Sequence, residues 1–425
     1  MKTAAAILSC LALPVGAATF NVRDFGATGN GTSPDTVAIQ KALDTCKNTG
    51  GTVEFPPGIY LSQPLTLGTR TTVQLDAGAT LLAVTNQQDF MRVPGDWLKA
   101  RGGNFIPFIG GADLTDVTFT GGGVIDGSGS VWWGEAEKAR QLKPGYTLPR
   151  PNLINIERCK TLRLENITLQ NSPKFHFVPT DCEDVVVSNV TILAPEHAAN
   201  TDAIDPGNCR KVLITKCRID VGDDNVAIKA GKKVAGREFA CEDILVTDCV
   251  FLHGHGMSIG SETAGGVHNV TVRNCTFENT ENGLRIKSQR GRGGVIEDIT
   301  YDHITMNNVN PAITLTCYYA NNSSGDATQP AAMDEALKAS EKIPVYRHIR
   351  ISNLTATCPG AASVIAGLPE SCITDVVLEN VKISAAKSFE IRNAKGIRLK
   401  NVTVTLPAGE PFKLENAEVS GLAEK

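Results

Sequence analysis

A short two-strand phrase recurs along most of the chain, and this repeat constrains the fold more than any other feature. Each copy has alternating apolar residues on both sides of one polar residue, as at 159–169, 182–192 and 209–219. Further copies lie at 241–251, 268–277, 296–306, 347–354, 373–383 and 394–404. Alternation predicts strands with one buried face and one exposed face. We therefore expect a stack of similar coils, in which each coil buries the face of its neighbours.

The spacing of the copies matches one coil of a parallel β-helix. Steps between the central polar residues are 23, 27, 32, 26 and 28 residues. These markers are Asn166, Asn189, Lys216, Asp248, Asn274 and Asp302. Asn suits such a place because it tolerates a left-handed backbone at a sharp corner. An open parallel sheet would need helices between its strands, and no helical pattern fits these gaps. The prediction is an all-β solenoid, a single-stranded right-handed parallel β-helix.

A helical segment precedes the repeat. Ser33, Pro34 and Asp35 are typical of an N-cap, a first helical position and an acidic first turn, and apolar residues at helical spacing continue to Cys46. We expect an N-terminal capping helix that covers the first open coil. The stretch 321–343 breaks the repeat and is predicted to be an inserted loop with a short helix. No linker divides the chain, so 19–425 is predicted to be a single β-helix domain.

Residues 1–18 have the pattern of a signal peptide. Lys2 precedes a short apolar run at 4–15 and small residues at 16–18, and the run is too short to span a bilayer. We therefore expect a secreted monomer, extracellular or periplasmic, without a membrane partner. The net charge of −4 lacks the basic excess of nucleic-acid-binding domains, so no nucleic-acid partner is expected.

The cysteine pattern predicts buried thiols. The chain has 12 cysteines, and their spacing fits no zinc site, so no metal site built from thiolates is expected. No metal and no other cofactor is expected for the protein. Cys217, Cys249 and Cys275 each follow a marker by one residue, the place that Ile167 and Val190 take in earlier coils. We predict a buried column of reduced thiols there; a disulfide among the three is the less favoured alternative.

Four polar clusters interrupt the strands, at 200–202, 222–224, 254–256 and 285–287. Because neighbouring coils of a β-helix lie about 4.8 Å apart, clusters on successive coils form one surface patch.

The positions within each coil support such a patch. Asp224 lies eight residues after its marker and His255 seven, so both are expected on one strand face. Lys229 and Lys287 each lie 13 residues after their markers, in a second column. Asp202 has no simple match of this kind.

Three neighbouring aspartates suit glycoside hydrolysis. That reaction needs one protonated carboxyl to protonate the leaving oxygen and an ionised one to act as base or nucleophile. Asp202, Asp223 and Asp224 would repel one another, which raises at least one pKa and keeps an acid protonated. Arg285 and Lys287 suit a sugar that carries a carboxylate. Taken alone, each cluster is typical of a turn or a solvated strand, and the aspartates are also compatible with a calcium site.

The four clusters together resemble family 28 glycoside hydrolases, the polygalacturonases. The matching segments are Asn-Thr-Asp at 200–202, Asp-Asp-Asn-Val-Ala-Ile-Lys at 223–229, Gly-His-Gly-Met-Ser-Ile-Gly-Ser at 254–261 and Asn-Gly-Leu-Arg-Ile-Lys at 282–287. A Cys often follows the family's Asp pair, and this chain has Asn225 there. The resemblance covers essentially the whole mature chain and implies hydrolysis of α-1,4-galacturonosidic bonds in pectin, an acidic polysaccharide.

The resemblance also implies catalytic roles. Asp223 would be the general acid, Asp202 and Asp224 would activate the water, and the anomeric configuration would invert. His255 would tune the protonation of the aspartates.

By the same resemblance, Arg285 and Lys287 would bind the substrate carboxylate. Tyr319 would line the cleft, with Tyr318 as its rival, and Asn200 would support Asp202.

Several alternatives remain open. Relatives of this kind cut rhamnogalacturonan or xylogalacturonan, although the 254–256 and 285–287 motifs favour plain galacturonan. A pectate lyase or a non-catalytic carbohydrate-binding β-helix would share the fold. Trp132 and Trp133 are equally compatible with stacking on sugar and with packing against the 124–125 coil.

Overall fold

A computed structural model describes residues 18–91, 105–143, 147–232, 240–319 and 342–422. In these ranges the strands form a single parallel sheet that winds into a right-handed β-helix, as the repeat predicted. Residues 1–17, which hold nearly all of the predicted signal peptide, lie outside the described part. Most of the predicted insertion at 321–343 lies outside it as well.

The described ranges contain 27 strands. The first nine are β1 Thr19–Asn21, β2 Asn30–Pro34, β3 Gly51–Phe55, β4 Gly58–Ser62, β5 Leu65–Thr66, β6 Thr71–Leu75, β7 Ala79–Ala83, β8 Ile109–Thr120 and β9 Val124–Asp126. The next ten are β10 Ile154–Glu165, β11 Thr168–Gln170, β12 Phe177–Thr180, β13 Glu183–Ser188, β14 Thr191–Leu193, β15 Arg210–Thr215, β16 Arg218–Asp220, β17 Val226–Ile228, β18 Cys241–Thr247 and β19 Val250–Phe251. The last eight are β20 Met257–Gly260, β21 Val267–Glu278, β22 Leu284–Lys287, β23 Val295–Asn307, β24 Ile313–Thr316, β25 Val345–Ala366, β26 Ile373–Thr405 and β27 Phe412–Ser420.

The register between strands places apolar residues of successive coils on top of one another inside the β-helix. One buried column runs through eight coils, by paired Cα positions, as Leu162, Val185, Val212, Ile244, Val270, Ile299, Ile349 and Val376. In another, the rings of Phe251 and Phe277 lie 4.8 Å apart. Burying each such side chain stabilises the fold by about 1.5–3 kcal/mol, so the alternation of the sequence fixes which face points inward.

The corners of the coil have a left-handed backbone, as predicted for most markers. Among the first five, φ ranges from 52° at Asn166 to 57° at Asp248. The sixth marker was wrong, because His303 takes the left-handed corner with φ 53°. Asp302 pairs with the residue just before the Asn274 corner, and so belongs to the strand side of its turn. Its carboxylate instead accepts a hydrogen bond from Asn353 of the next coil at 2.8 Å.

The helix before the repeat is present but begins later than predicted. It is α1, Thr36–Thr49, and it buries apolar residues that include Ile39 and Leu43 in the core. Ser33 and Pro34 belong to β2, so Ser33 is not the N-cap. Asp35 holds that position, and its carboxylate accepts hydrogen bonds from the amides of Thr28 and Gly29 rather than from the helix. The capping of the first coil by α1 remains a prediction.

A second helix, α2, covers Ser130–Leu142 and was not predicted. Trp132 on it is buried and makes edge-on contacts with Phe90 at 5.7 Å and Phe105 at 5.2 Å between ring centroids. Trp133 donates its indole N–H to the carbonyl of Ser172 at 3.0 Å. Trp132 therefore packs within the protein, against Phe90 and Phe105. Of the helices in the described ranges, none is long and apolar enough to cross a membrane.

The predicted thiol column is confirmed. Cys217, Cys249 and Cys275 are buried, stack on consecutive coils and form no disulfide. A second column contains Cys182, Cys209 and Cys241, and the amide of Cys209 donates to the Cys241 sulfur at 3.3 Å. Reduced sulfur thus fills positions that aliphatic side chains fill elsewhere.

Candidate active site

One stacked column places the polar clusters. The pairing of strands and isolated bridges aligns Phe177, Ile204, Val226, Met257 and Leu284 on five successive coils. Two positions before these stand Phe175, Asp202, Asp224, His255 and Asn282. Asp202 is thereby in register with Asp224 and His255, which the marker spacing did not reveal.

Asp224 is a buried carboxylate surrounded by donors. Ser258 donates its hydroxyl at 2.8 Å, Lys287 its ammonium at 2.7 Å, and Arg285 makes a short ion pair to the same carboxylate. Burial alone would raise the pKa of Asp224, but Lys287 and Arg285 outweigh it and hold the pKa at about 2. Asp224 is therefore ionised and fixed in orientation, as a base requires.

Asp223 forms a chain of contacts with His255 and Glu281. His255 Nδ1 lies 3.0 Å from Asp223 Oδ1, and its Nε2 lies 2.9 Å from Glu281 Oε2. Burial favours the neutral ring, yet the charge of Asp223 and the hydrogen bonds to Asp223 and Glu281 raise the pKa of His255 to about 10. Against its own burial, Asp223 is held by His255 at a pKa well below its usual range.

Asp202 shares a cation with Asp205. Lys229 Nζ lies 3.2 Å from Asp202 Oδ2 and 2.5 Å from Asp205 Oδ2. Burial, followed by repulsion from Asp205 and Asp223, raises the pKa of Asp202 well above its usual value. Its other oxygen, Oδ1, is buried and accepts no hydrogen bond from any residue in the described ranges. That oxygen is a free acceptor beside the other two aspartates.

Asn200 contacts a different aspartate from the one expected. Its amide Nδ2 donates to Asp223 Oδ2 at 3.3 Å, and its Oδ1 accepts from Arg150 Nη2 at 2.8 Å. The expected support of Asp202 was therefore wrong in its partner, because the turn aims the Asn200 amide at the next coil. Arg150 is buried and also donates to the carbonyl of Ala199 at 2.9 Å.

Tyr319, rather than Tyr318, faces the charged groups. Lys287 Nζ lies 5.2 Å from the centre of the Tyr319 ring, within the range of a cation–π contact. Tyr318 is buried against Arg392, 4.2 Å from its ring, and its hydroxyl accepts from Asn393.

The sequence did not single out several side chains of the site. Ser258 lies within the 254–261 segment and Asp205 three residues after the 200–202 segment, and the spacing of neither residue set it apart. Glu281 directly precedes a motif, and Arg150 lies about 50 residues before its partners, where no local pattern identifies it.

Asp223, Asp224 and His255 could in principle hold a metal ion, because each offers a ligand atom within 4.8 Å of the others. The charges around them argue against it. Lys287 and Arg285 already bind the carboxylate of Asp224, and a His255 with its pKa at about 10 is a cation at neutral pH. A further cation would face three positive groups at close range.

Comparisons with known proteins agree on the kind of enzyme. The profile of glycosyl hydrolases family 28 matches residues 53–404. An endo-polygalacturonase of Pectobacterium carotovorum subsp. carotovorum is 34% identical over 374 residues, 85% of this chain and 87% of that protein. The structure of polygalacturonase from Erwinia carotovora ssp. carotovora superposes with a TM-score of 0.72 at 31% identity, covering 96% of this chain and 98% of that one. A hyperthermoactive exopolygalacturonase from Thermotoga maritima gives a TM-score of 0.76 at 27% identity, over 91% of this chain and 92% of its own. The chain belongs to glycosyl hydrolases family 28 and is a glycoside hydrolase.

Proposed function

We propose that this enzyme hydrolyses the α-1,4-galacturonosidic bonds of polygalacturonate, with inversion at the anomeric carbon. The observation that carries the proposal is the cluster of Asp202, on one coil, with Asp223 and Asp224, on the next coil, beside Arg285 and Lys287. Carboxyls supply the acid and base of glycoside hydrolysis, and the cations select a sugar that bears a carboxylate. The polygalacturonases to which the chain is similar support the same substrate.

Asp223 is the proposed general acid. Its side chain is 17% exposed, against 5% for Asp202 and 3% for Asp224, so it is the aspartate that a glycosidic oxygen reaches most easily. The hydrogen-bonded pair of Asp223 and His255 holds one proton, which rests on the imidazole in the free enzyme. Transfer across the 3.0 Å contact protonates Asp223 and leaves His255 neutral, and Asp223 then passes the proton to the leaving oxygen.

Asp202 and Asp224 are the proposed activators of water. Asp224 is ionised and receives the proton as water attacks the anomeric carbon, while Asp202 Oδ1 accepts a hydrogen bond from the same water. Inversion requires the acid and base carboxyls to be about 6.5–9.5 Å apart, so that water fits opposite the leaving group.

The remaining assignments are proposals of the same kind. Arg285 and Lys287 bind the carboxylate of the sugar at the cut, Tyr319 lines the cleft beside Lys287, and Asn200 orients Asp223. The enzyme acts as a secreted monomer, with 1–18 as its signal peptide and 19–425 as one catalytic domain. The short apolar run at 4–15 supports export.

The decisive experiment incubates purified enzyme with polygalacturonate in EDTA and follows reducing ends, viscosity and ultraviolet absorbance together. Hydrolysis gives reducing ends without the absorbance of unsaturated products. Ultraviolet absorbance of unsaturated products would show a lyase. Activity only on rhamnogalacturonan or xylogalacturonan would mean that the enzyme remains a member of the family but acts on that polymer instead of polygalacturonate. A rapid fall in viscosity would indicate internal cutting, and a slow fall release from the chain end.

A matched pair of variants tests the role of Asp223. Asp223→Asn should lower kcat by about 100-fold to 10,000-fold, the usual contribution of general acid catalysis. Asp220→Asn removes the carboxylate of a second Asp–His pair, 2.8 Å from His253, and should retain activity because that pair lies outside the stacked aspartates. Equal losses in both variants would contradict the assignment.

A further inference from the structure

Lys174 supplies a cation on the other side of the aspartates from Arg285 and Lys287. It lies three positions before Phe177, as Asp223 lies three positions before Val226, so the two share a row along the coils. Two coil steps separate them, about 10 Å along the stack. A group bound at Lys174 therefore belongs to a neighbouring sugar rather than to the sugar being cut.

The turn around Lys174 is held rigidly by hydrogen bonds. The hydroxyl of Ser172 accepts from the Lys174 amide at 3.3 Å and donates to the Phe175 carbonyl at 2.8 Å. Arg150 donates to the carbonyl of Pro173 at 2.9 Å, which ties the same turn to the Asn200 segment. The position of Lys174 relative to the aspartates is thus set by the core of the site.

The ammonium of Lys174 lies 4.3 Å from the centre of the Phe175 ring, and Lys229 lies 4.2 Å from the same ring. Lys229 is neutralised by Asp202 and Asp205. For Lys174, by contrast, no hydrogen bond or ion pair to its ammonium occurs within the described ranges. An aromatic ring holds the charge in place without cancelling it.

The electrostatic setting of this ammonium favours an anionic ligand. Burial, and then repulsion from Lys229, lower the pKa of Lys174, while Asp202 acts in the opposite direction. A carboxylate placed against the ammonium would offset both effects and would make a charge-assisted hydrogen bond.

We propose that Lys174 is a second carboxylate-binding subsite, which holds a galacturonate residue away from the scissile bond. The inference rests on the proposed function, since it assumes a polymer with a carboxylate on each sugar. The inference predicts that the substrate is bound through carboxylates on both sides of the three aspartates, at Lys174 and at Lys287.

The test compares Lys174→Met, Lys174→Arg and a control, Lys382→Met, which removes an exposed lysine of β26 far from these coils. With polygalacturonate at low ionic strength, Lys174→Met should raise KM about 10-fold, the value of one charge-assisted hydrogen bond. The kcat should change less than about twofold, because this contact is the same in ground state and transition state. Lys174→Arg should restore most of the affinity, and Lys382→Met should match the wild type.

Two further measurements make the outcome specific. Added salt should narrow the KM difference between wild type and Lys174→Met, because screening weakens the contact. Oligogalacturonides too short to reach Lys174 should be cut by both proteins with the same KM. An unchanged KM on the polymer, or an equal rise on short and long substrates, would overturn the inference, with folding checked by circular dichroism. If the wild type releases no reducing ends from polygalacturonate, the proposed function itself fails.

Discussion

The ion pair between Lys287 and Asp224 gives a prediction about stability as a function of pH. In the folded enzyme the pKa of Asp224 is about 2, below the ordinary value of about 3.9. A carboxyl whose pKa is lowered by folding adds stability above its unfolded pKa, and that stability is lost as the pH falls through the folded pKa. The difference of nearly two units corresponds to roughly 2.5 kcal/mol at neutral pH.

Replacing Lys287 by Met removes the larger of the two cationic effects on Asp224. The carboxylate stays buried with Arg285 and Ser258, so its pKa should rise above the ordinary value. We expect the free energy of unfolding to fall by about 2–4 kcal/mol at pH 7, somewhat less than for a buried charge left with no partner. The loss should shrink toward pH 4, because a protonated Asp224 no longer needs a cation.

Urea unfolding followed by tryptophan fluorescence at pH 7 and at pH 4 measures both values. The control is Arg350→Met, which removes an exposed ion pair with Glu379 and should cost less than about 1 kcal/mol at either pH. A loss for Lys287→Met that is the same at both pH values would refute the reasoning, since it would show that packing rather than the charge of Asp224 sets the cost.

Three other predictions follow from the same contacts. The hydrogen bond with Cys217 lowers the pKa of Cys249, but Cys275 and burial outweigh it and raise the pKa to about 12. The buried Cys249 thiol should therefore stay unmodified by a thiol reagent in the native enzyme and react on unfolding, as peptide mapping would show. Asn380→Ala should lower the unfolding free energy by about 1–2 kcal/mol, and Asn380→Gly by less, because the corner has φ 57° and its amide bonds to Asn353 at 3.2 Å. Glu281→Gln should lower the pKa of His255 and move the basic limb of the pH–rate profile down by less than about one unit, since the Glu281 side chain is largely exposed; an upward shift would contradict the assigned contact.

The fold was predictable because the sequence of a solenoid repeats with a period equal to the length of one coil. Each corner needs a residue that tolerates a left-handed backbone, so markers such as Asn189 could be located from the repeat and from the residue type between its two strands. Asp302 was wrongly predicted as a corner residue because His303 occupies the left-handed corner, and the pattern did not suggest a histidine there. The helix α2 escaped notice because it lies between β9 and β10, before the regular copies begin.

The site was predictable where it follows the coil period. Asp224 and His255 have matching positions after their markers, and the structure places them in one row. Asp202 joins that row only because the stretch at 195–199 lengthens the segment between β14 and Ile204, and the length of such an insertion cannot be inferred from alternation. Arg150 contacts the site from a loop between α2 and β10. Such a contact depends on the length and direction of the side chain, so the repeat length of the coils does not predict it.

The placement of charges links substrate binding to the strength of the base. In the free enzyme Arg285 and Lys287 form ion pairs with Asp224. These ion pairs hold the pKa of Asp224 at about 2 and make its carboxylate a weak base. In the proposed complex a substrate carboxylate shares these two cations and brings its own negative charge close to Asp224. Both effects raise the pKa of Asp224, so the carboxylate becomes a better proton acceptor only when an acidic sugar is in place. A neutral sugar would leave the cations on Asp224, and selection for galacturonate would then act on the chemical step as well as on affinity.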